Sequence, residues 1–347
     1  MKRLTICMVV ATMLLSMGMA FAQEGLEGQC WYDRICVSGY FTVRYIDSDD
    51  DANPDNFDFR QLYLTFKGDL DDRTTGIITL ARTGPGDPNI DLYNAFIDYR
   101  LGGGYAIQAG QVPTWFGLEA WEGSSVRLPF ERAKILESGP GFWQAGAADR
   151  GVWVRRNPAS SDEPLAVLGI WNGQFRSDDL NDDKNISLDI KFNQDWGQFG
   201  ASWFDGSYIA DSVESDRNAV DLYVRKFAKP WGFQAEWADG EMLGADRDGY
   251  YVQGMYDLED GKNMVFARWE EFNAKPYAAV GAAQDNGFRP HAEYTGWTIG
   301  VRHKVYESSS ITVQYTDGDW KRTGEVDGKT GDNSEDLLGI QWQYEYR

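Results

Sequence analysis

Apolar and polar residues change places at every step along much of this chain. Near the carboxyl end Leu338, Ile340, Trp342, Tyr344 and Tyr346 take every second position, with Gly339, Gln341, Gln343 and Glu345 between them. The same period of two runs through Ile186-Leu188-Ile190-Phe192, Val220-Leu222-Val224 and Trp297-Ile299-Val301. Successive side chains of a strand point to opposite faces, so this period predicts strands with one apolar and one polar face. Spacing at three and four residues, which a helix needs, does not organise these segments.

Such runs predict sixteen strands, at 37–46, 57–70, 73–83, 90–101, 105–113, 150–156, 165–172, 185–192, 197–206, 217–227, 231–240, 247–257, 263–272, 295–303, 310–317 and 336–346. Each approaches the roughly 9–11 residues with which a tilted strand crosses a bilayer. The connections alternate as well. Asp71-Asp72, Gly102-Gly103-Gly104, Ala228-Lys229-Pro230 and Glu307-Ser308-Ser309 are short, whereas 114–149, 273–294 and 318–335 are long. Short turns at one end, long loops at the other and an even strand number predict an all-β fold, an antiparallel transmembrane β-barrel of sixteen strands. In this reading the third long loop, 114–149, sits outside as a lid or folds inward to narrow the lumen, and SVRLPFERAKILE within it could carry a short helix.

Composition fits that picture. The chain of 347 residues carries 14 Trp, 18 Tyr and 38 Gly, and its aromatics crowd predicted strand ends, at Trp231, Trp237, Tyr250, Tyr256, Trp297, Trp342 and Tyr346. Amphipathic rings favour the headgroup zone, so these are candidates for two interfacial girdles. Lys2 and Arg3 followed by an uncharged apolar run to Ala20 and the small residues of Ala20-Phe21-Ala22 predict a signal peptide over 1–22, cleaved before Gln23. A short periplasmic segment, 23–36, would precede a barrel over 37–347. Cys7 leaves with the signal, and Cys30 and Cys36 are then candidates for a small disulfide loop in an oxidising compartment.

The formal net charge of -21 excludes a surface suited to nucleic acid. Segments 47–56, 173–184, 205–217 and 317–336 hold 20 acids and 6 bases, and all four are predicted outer loops. Solvation and divalent-cation bridging beside lipopolysaccharide is the simple account of them. Asp47, Asp49, Asp51 and Asn53 have a spacing similar to a calcium loop, but Ala52 stands where such a loop needs Gly, and Asp58 where it needs Glu. No metal site or cofactor is expected. The polar member of each alternation sends Arg44, Lys67, Arg100, Arg155, Lys191, Arg225, Arg268 and Arg302 to the lumen, against Asp98, Asp189, Asp221, Glu236, Glu270 and Glu345. Some of these charges would pair across strands, and the rest would bias which ion enters. In the long loop, Arg127, Arg132, Lys134, Glu119 and Glu131 are the candidate constriction charges.

The stretch NAFIDYRLGGGYAIQAGQVPTWFGLE, residues 94–119, resembles the phosphate-selective porin O and P family, with Gly110, Gln111, Pro113, Phe116, Gly117 and Leu118 on its motif. FDFRQLYLTFKGDL, residues 57–70, is similar to the family's Phe-x-Arg-Arg strand, with Arg60 kept and Gln61 in place of the second Arg. The resemblance implies a trimeric outer-membrane porin whose third loop constricts the pore. The acidic outer segments depart from an entrance that would gather phosphate. The expected function is therefore passive diffusion of small hydrophilic solutes or ions, with at most a weak anion preference. The alternative is a structural or adhesive barrel with a plugged lumen. An enzyme is not expected: only His291 and His303 occur, no Gly-x-Ser-x-Gly turn exists, and adjacent Glu270 and Glu271 must point to opposite faces.

Overall fold

The computed structural model describes residues 30–31, 35–48, 55–82, 89–119, 122–123, 125–136, 142, 148–160, 163–174, 176–210, 213–242, 245–258, 261–274, 292–322, 325–326, 329–330 and 333–346. The predicted signal and most of the predicted calcium loop lie outside them. The strands are β1 (Cys30–Trp31), β2 (Ile35–Ser48), β3 (Asn56–Asp69), β4 (Thr74–Arg82), β5 (Asp91–Gly102), β6 (Tyr105–Pro113), β7 (Ala148–Arg156), β8 (Leu165–Trp171), β9 (Asn185–Gln194) and β10 (Gly197–Ala210). They continue as β11 (Val213–Phe227), β12 (Trp231–Met242), β13 (Ala245–Asp257), β14 (Asn263–Ala274), β15 (Ala292–Tyr306), β16 (Ser309–Arg322), a two-stranded ribbon of β17 (Glu325–Val326) and β18 (Lys329–Thr330), and β19 (Asn333–Tyr346).

Every long strand pairs antiparallel with its neighbours in sequence, β16 pairs with β19, and β19 returns to β2, so sixteen long strands close on themselves. Closure leaves no strand edge unpaired, which a bilayer demands of any sheet that crosses it. The short strand β1 pairs on β2 and sets Cys30 opposite Cys36, which is disulfide-bonded. Both chain ends of the barrel lie at the end that carries the short turns.

Every predicted strand is present, and most are longer than expected at the long-loop end. The largest difference is at 205–217, read from its acids as an outer loop. There β10 runs on to Ala210 and β11 restarts at Val213, with Asp205 opposite Asn218 and Ser207 opposite Asp216. Charge marks exposure to water, and a strand that projects beyond the bilayer is as exposed as a loop, so composition could not separate the two. Asp58, likewise, is no loop ligand but a β3 residue 3.6 Å from Arg44.

One face of the barrel is apolar and exposed, as at Val152 and Val154 of β7, Leu168 and Ile170 of β8 and Leu222 of β11. The girdle aromatics are on this face. On β12, Trp231 stands beside Tyr256 with ring centroids 4.4 Å apart, and Trp237 faces Tyr250 in register six residues further on, about 20 Å at strand rise. The opposite face carries the buried polar residues, among them Gln108, Ser187, Gln253, Thr298, Gln314 and Gln341.

Candidate functional site: the inner wall and the connection from β6 to β7

The inner face is not uniformly polar. Trp153, Trp171, Phe204, Tyr251, Phe272, Tyr294 and Trp320 alternate with outward residues on β7 to β16, and they form one buried cluster with Phe116, Ala133, Ile135, Leu136 and Phe142 of the β6–β7 connection. Phe116 meets Phe204 edge-on at 5.2 Å between ring centroids. Full burial of one such ring contributes about 1.5–3 kcal/mol, so several of them suffice to hold the connection against the wall. The expected helix in this segment is a single 3-10 turn, Lys134–Leu136.

Polar anchors fix the register of that packing. The Gly117 N–H donates to Ser202 Oγ at 2.8 Å, and Ser202 Oγ donates to Asp189 at 2.7 Å. Glu236 accepts from the Leu118 N–H at 2.5 Å, from the Glu119 N–H at 3.2 Å and from the Tyr251 hydroxyl at 2.9 Å. The Phe130 N–H donates to Gln314 Oε1 at 2.9 Å, and the Lys134 N–H donates to Glu270 at 2.6 Å. Gln343 reaches the Ser125 carbonyl at 2.8 Å. An irregular backbone away from water needs such partners, and here wall side chains supply them.

This explains the Phe-Gly-Leu triplet. Phe116 fills the apolar cluster, Leu118 presents its N–H to Glu236, and Gly117 between them has φ of +72°, with a Cβ there running into the Glu236 carboxylate. Only glycine fits both demands. Gln111 serves the same end differently, holding the Leu92 and Tyr93 carbonyls at 2.8 and 3.0 Å.

The charges differ in how they are held. Arg268 pairs with Glu119 out of reach of water, Arg225 pairs with Glu122, and Arg155 pairs with Asp98 at 2.9 Å. Glu131 is held by Arg44 at 2.5 Å and by Arg60 at 2.8 and 3.0 Å. Burial alone would raise its carboxyl, but Arg60 and Arg44, helped by Arg127, hold it well below the usual carboxylate range. Lys134 lies 3.2 Å from Glu335 and over the rings of Tyr294 and Trp320. Arg127 is buried and donates to the Phe130 carbonyl; burial first, and the neighbouring Arg132 second, lower it to about 10. Arg132 is half-buried, with Nε 3.4 Å from the Glu119 carbonyl. Arg302 spends its donors on the carbonyls of Val126, Arg127 and Leu128, and Lys191 is half-buried beside Asp189. Lys67 and Arg100 remain exposed on the inner face of β3 and β5.

Strict alternation missed Arg60 as a wall residue. It shares parity with Leu62 and Leu64, which face outward. A bulge pairs Thr42 with Gln61 and Val43 with Phe59, leaving Arg60 as the extra residue, and its guanidinium reaches Glu131. A bulge re-aims one side chain without leaving a trace in the period of the sequence.

A closed sixteen-stranded barrel with an apolar exterior, a charged inner face and a long connection bonded to that face is the porin fold. Residues 39–190 match the family model of phosphate-selective porins O and P, which extends the resemblance seen at 57–70 and 94–119 over the first half of the barrel. The chain is also similar to OmpT of Vibrio cholerae in its trimer form, at 13% identity over 90% of this chain and 99% of that one, with a TM-score of 0.65. An anion-selective porin from Comamonas acidovorans gives 12% identity, 90% and 99% coverage and a TM-score of 0.63. The outer membrane channel DcaP of Acinetobacter baumannii gives 12%, 92% and 100%, and 0.61. No curated protein matches the chain in sequence.

Proposed function

We propose that the protein is a passive pore of the outer membrane for small hydrophilic solutes and ions, with a weak preference for anions. The observation that carries this reading is the division of the inner wall. The β6–β7 connection is bonded to β2 and β3 through Glu131 and to β10, β11, β12, β14, β15, β16 and β19, while Lys67 and Arg100, towards the short-turn ends of β3 and β5, stay in water. A water path between the connection and the wall that bears Lys67 and Arg100 is the corresponding route. Arg132, Glu131, Arg44 and Arg60 would then border its narrowest part, with Lys67 and Arg100 beyond. A charged wall of this kind favours ions and polar solutes over apolar ones.

The same reading includes export by the signal at 1–22, a disulfide between Cys30 and Cys36, and a homotrimer, for which the trimer form of the similar OmpT gives precedent. Above the aromatic girdle, outward positions carry Asp239 opposite Asp248 and Asp317 opposite Asp336. Like charges in register repel, and divalent cations shared with lipopolysaccharide phosphates would relieve them. Planar-bilayer recording in KCl tests the main claim: stepwise conductance is expected. A silent barrel that inserts and folds would instead favour the plugged, structural alternative.

A further inference from the structure

A cavity of about 460 Å³ lies inside the barrel at the short-turn end, between the β6–β7 connection and the wall of β11 to β15. Its lining joins two chemistries that a mere water path would not need together. Leu128 and Met255, buried with Phe266, form an apolar cluster at its surface, and the half-buried Met264 packs against them. Arg127, Arg225 and Arg302 supply three guanidiniums, with Lys262 and Lys304 also on the lining.

The positive charge is not balanced from within the cavity. The two acids on its lining are already engaged: Glu122 with Arg225, which is also on the lining, and Asp257 with Lys229 at 3.2 Å and with the Gly261 N–H. Arg302 is satisfied by neutral oxygens, the carbonyls of 126–128 and the Thr312 hydroxyl. Arg127 is 2% exposed and uses one nitrogen on the Phe130 carbonyl, while its Nε and Nη1 are buried without a partner. Buried donors of a charged group are costly to leave unmade, and an anion in the adjoining cavity would offer them acceptors once the guanidinium turns towards it.

We propose that this cavity is a binding site for a small amphipathic organic anion, a carboxylate on a short hydrocarbon tail, with Arg127 and Arg302 facing the carboxylate and Met255, Met264 and Leu128 around the tail. Inorganic phosphate suits it poorly, since the thioether and leucine surface offers its remaining oxygens nothing. The proposal deepens the diffusion reading and rests on it only for the route by which the ligand arrives.

The test is calorimetric titration of the folded protein in detergent with butyrate, pentanoate and hexanoate, against detergent alone, with hexan-1-ol and inorganic phosphate as controls. Saturable one-site binding is expected, tightening about three- to fourfold per added methylene. Neither the alcohol nor phosphate should compete. Arg127→Met should weaken hexanoate at least tenfold. Met255→Glu, which places a carboxylate among the tail contacts and leaves the loop anchors intact, should do the same if the first variant does not fold. Binding that ignores chain length, equal competition by phosphate, unchanged affinity in Met255→Glu, or no saturation would each overturn the proposal. Conductance in KCl, recorded separately, reports whether the pore reading itself has failed.

Discussion

Glu119 and Arg268 form an ion pair across 149 residues of sequence, with side chains 0% and 1% exposed. The other Glu119 oxygen accepts the Ala133 N–H at 2.7 Å, and Arg268 also donates to Gln253 at 3.1 Å and lies over the Tyr251 ring at 4.6 Å. One carboxylate therefore ties the connection to itself and to β14 at once. Breaking a buried pair from one side leaves an uncompensated charge, at a cost of about 3–5 kcal/mol. Glu119→Gln should lower the melting temperature in detergent and add noise between current levels in single channels. A quiet channel with unchanged melting would show that the pair does not hold the connection.

Phe116 makes the parallel case for packing. Its ring is fully buried against Phe204 and Phe142. Phe116→Ala should cost about 3–5 kcal/mol, and because the lost contacts are those that press the connection to the wall, mean conductance should rise. Melting curves and conductance histograms measured together distinguish a loosened connection from a globally weakened barrel.

Glu131 predicts an acid response. Its carboxyl is depressed in the folded protein, so its tether to Arg44 and Arg60 is complete above the ordinary carboxylate value of 4.5 and is lost only as pH falls below it towards the lowered folded value. Wild-type selectivity should hold from neutral pH down to about 4.5 in this respect. Glu131→Gln at neutral pH should remove one negative charge from between Arg44 and Arg60, with Asp58 still 3.6 Å from Arg44, and shift the reversal potential in a salt gradient towards anions. A shift towards cations would mean that the three groups do not border the path.

Lys67 and Arg100 are inner-face cations of β3 and β5 that stay exposed to water, and they test the route itself. Lys67→Glu with Arg100→Glu should move the reversal potential towards cations with little change in melting temperature. Arg127→Glu serves as the contrast. Its side chain is buried within the connection, so that substitution should disturb folding more than selectivity.

Period two determines much of this protein without any tertiary contact. Leu338 and Trp342 outward against Gln341 and Gln343 inward, the sixteen strands, the short turns at one end and the inward parity of Arg44, Arg155, Arg225, Arg268 and Arg302 follow from the pleat, because successive side chains of a strand alternate between its faces. The Phe116-Gly117-Leu118 triplet was visible too, as a resemblance, although its reason was not. What the tertiary structure decided was which inner residues meet water. Trp153 and Lys67 both occupy inward positions, yet one is sealed under the connection and the other is open to solvent. Arg127 and Arg132 are five residues apart, and one is buried while the other is half in water. Those outcomes depend on where a segment more than thirty residues long comes to rest inside the barrel. That position is set by contacts such as Gly117 to Ser202 and Glu119 to Arg268, between residues whose distance in sequence carries no record of their meeting in space.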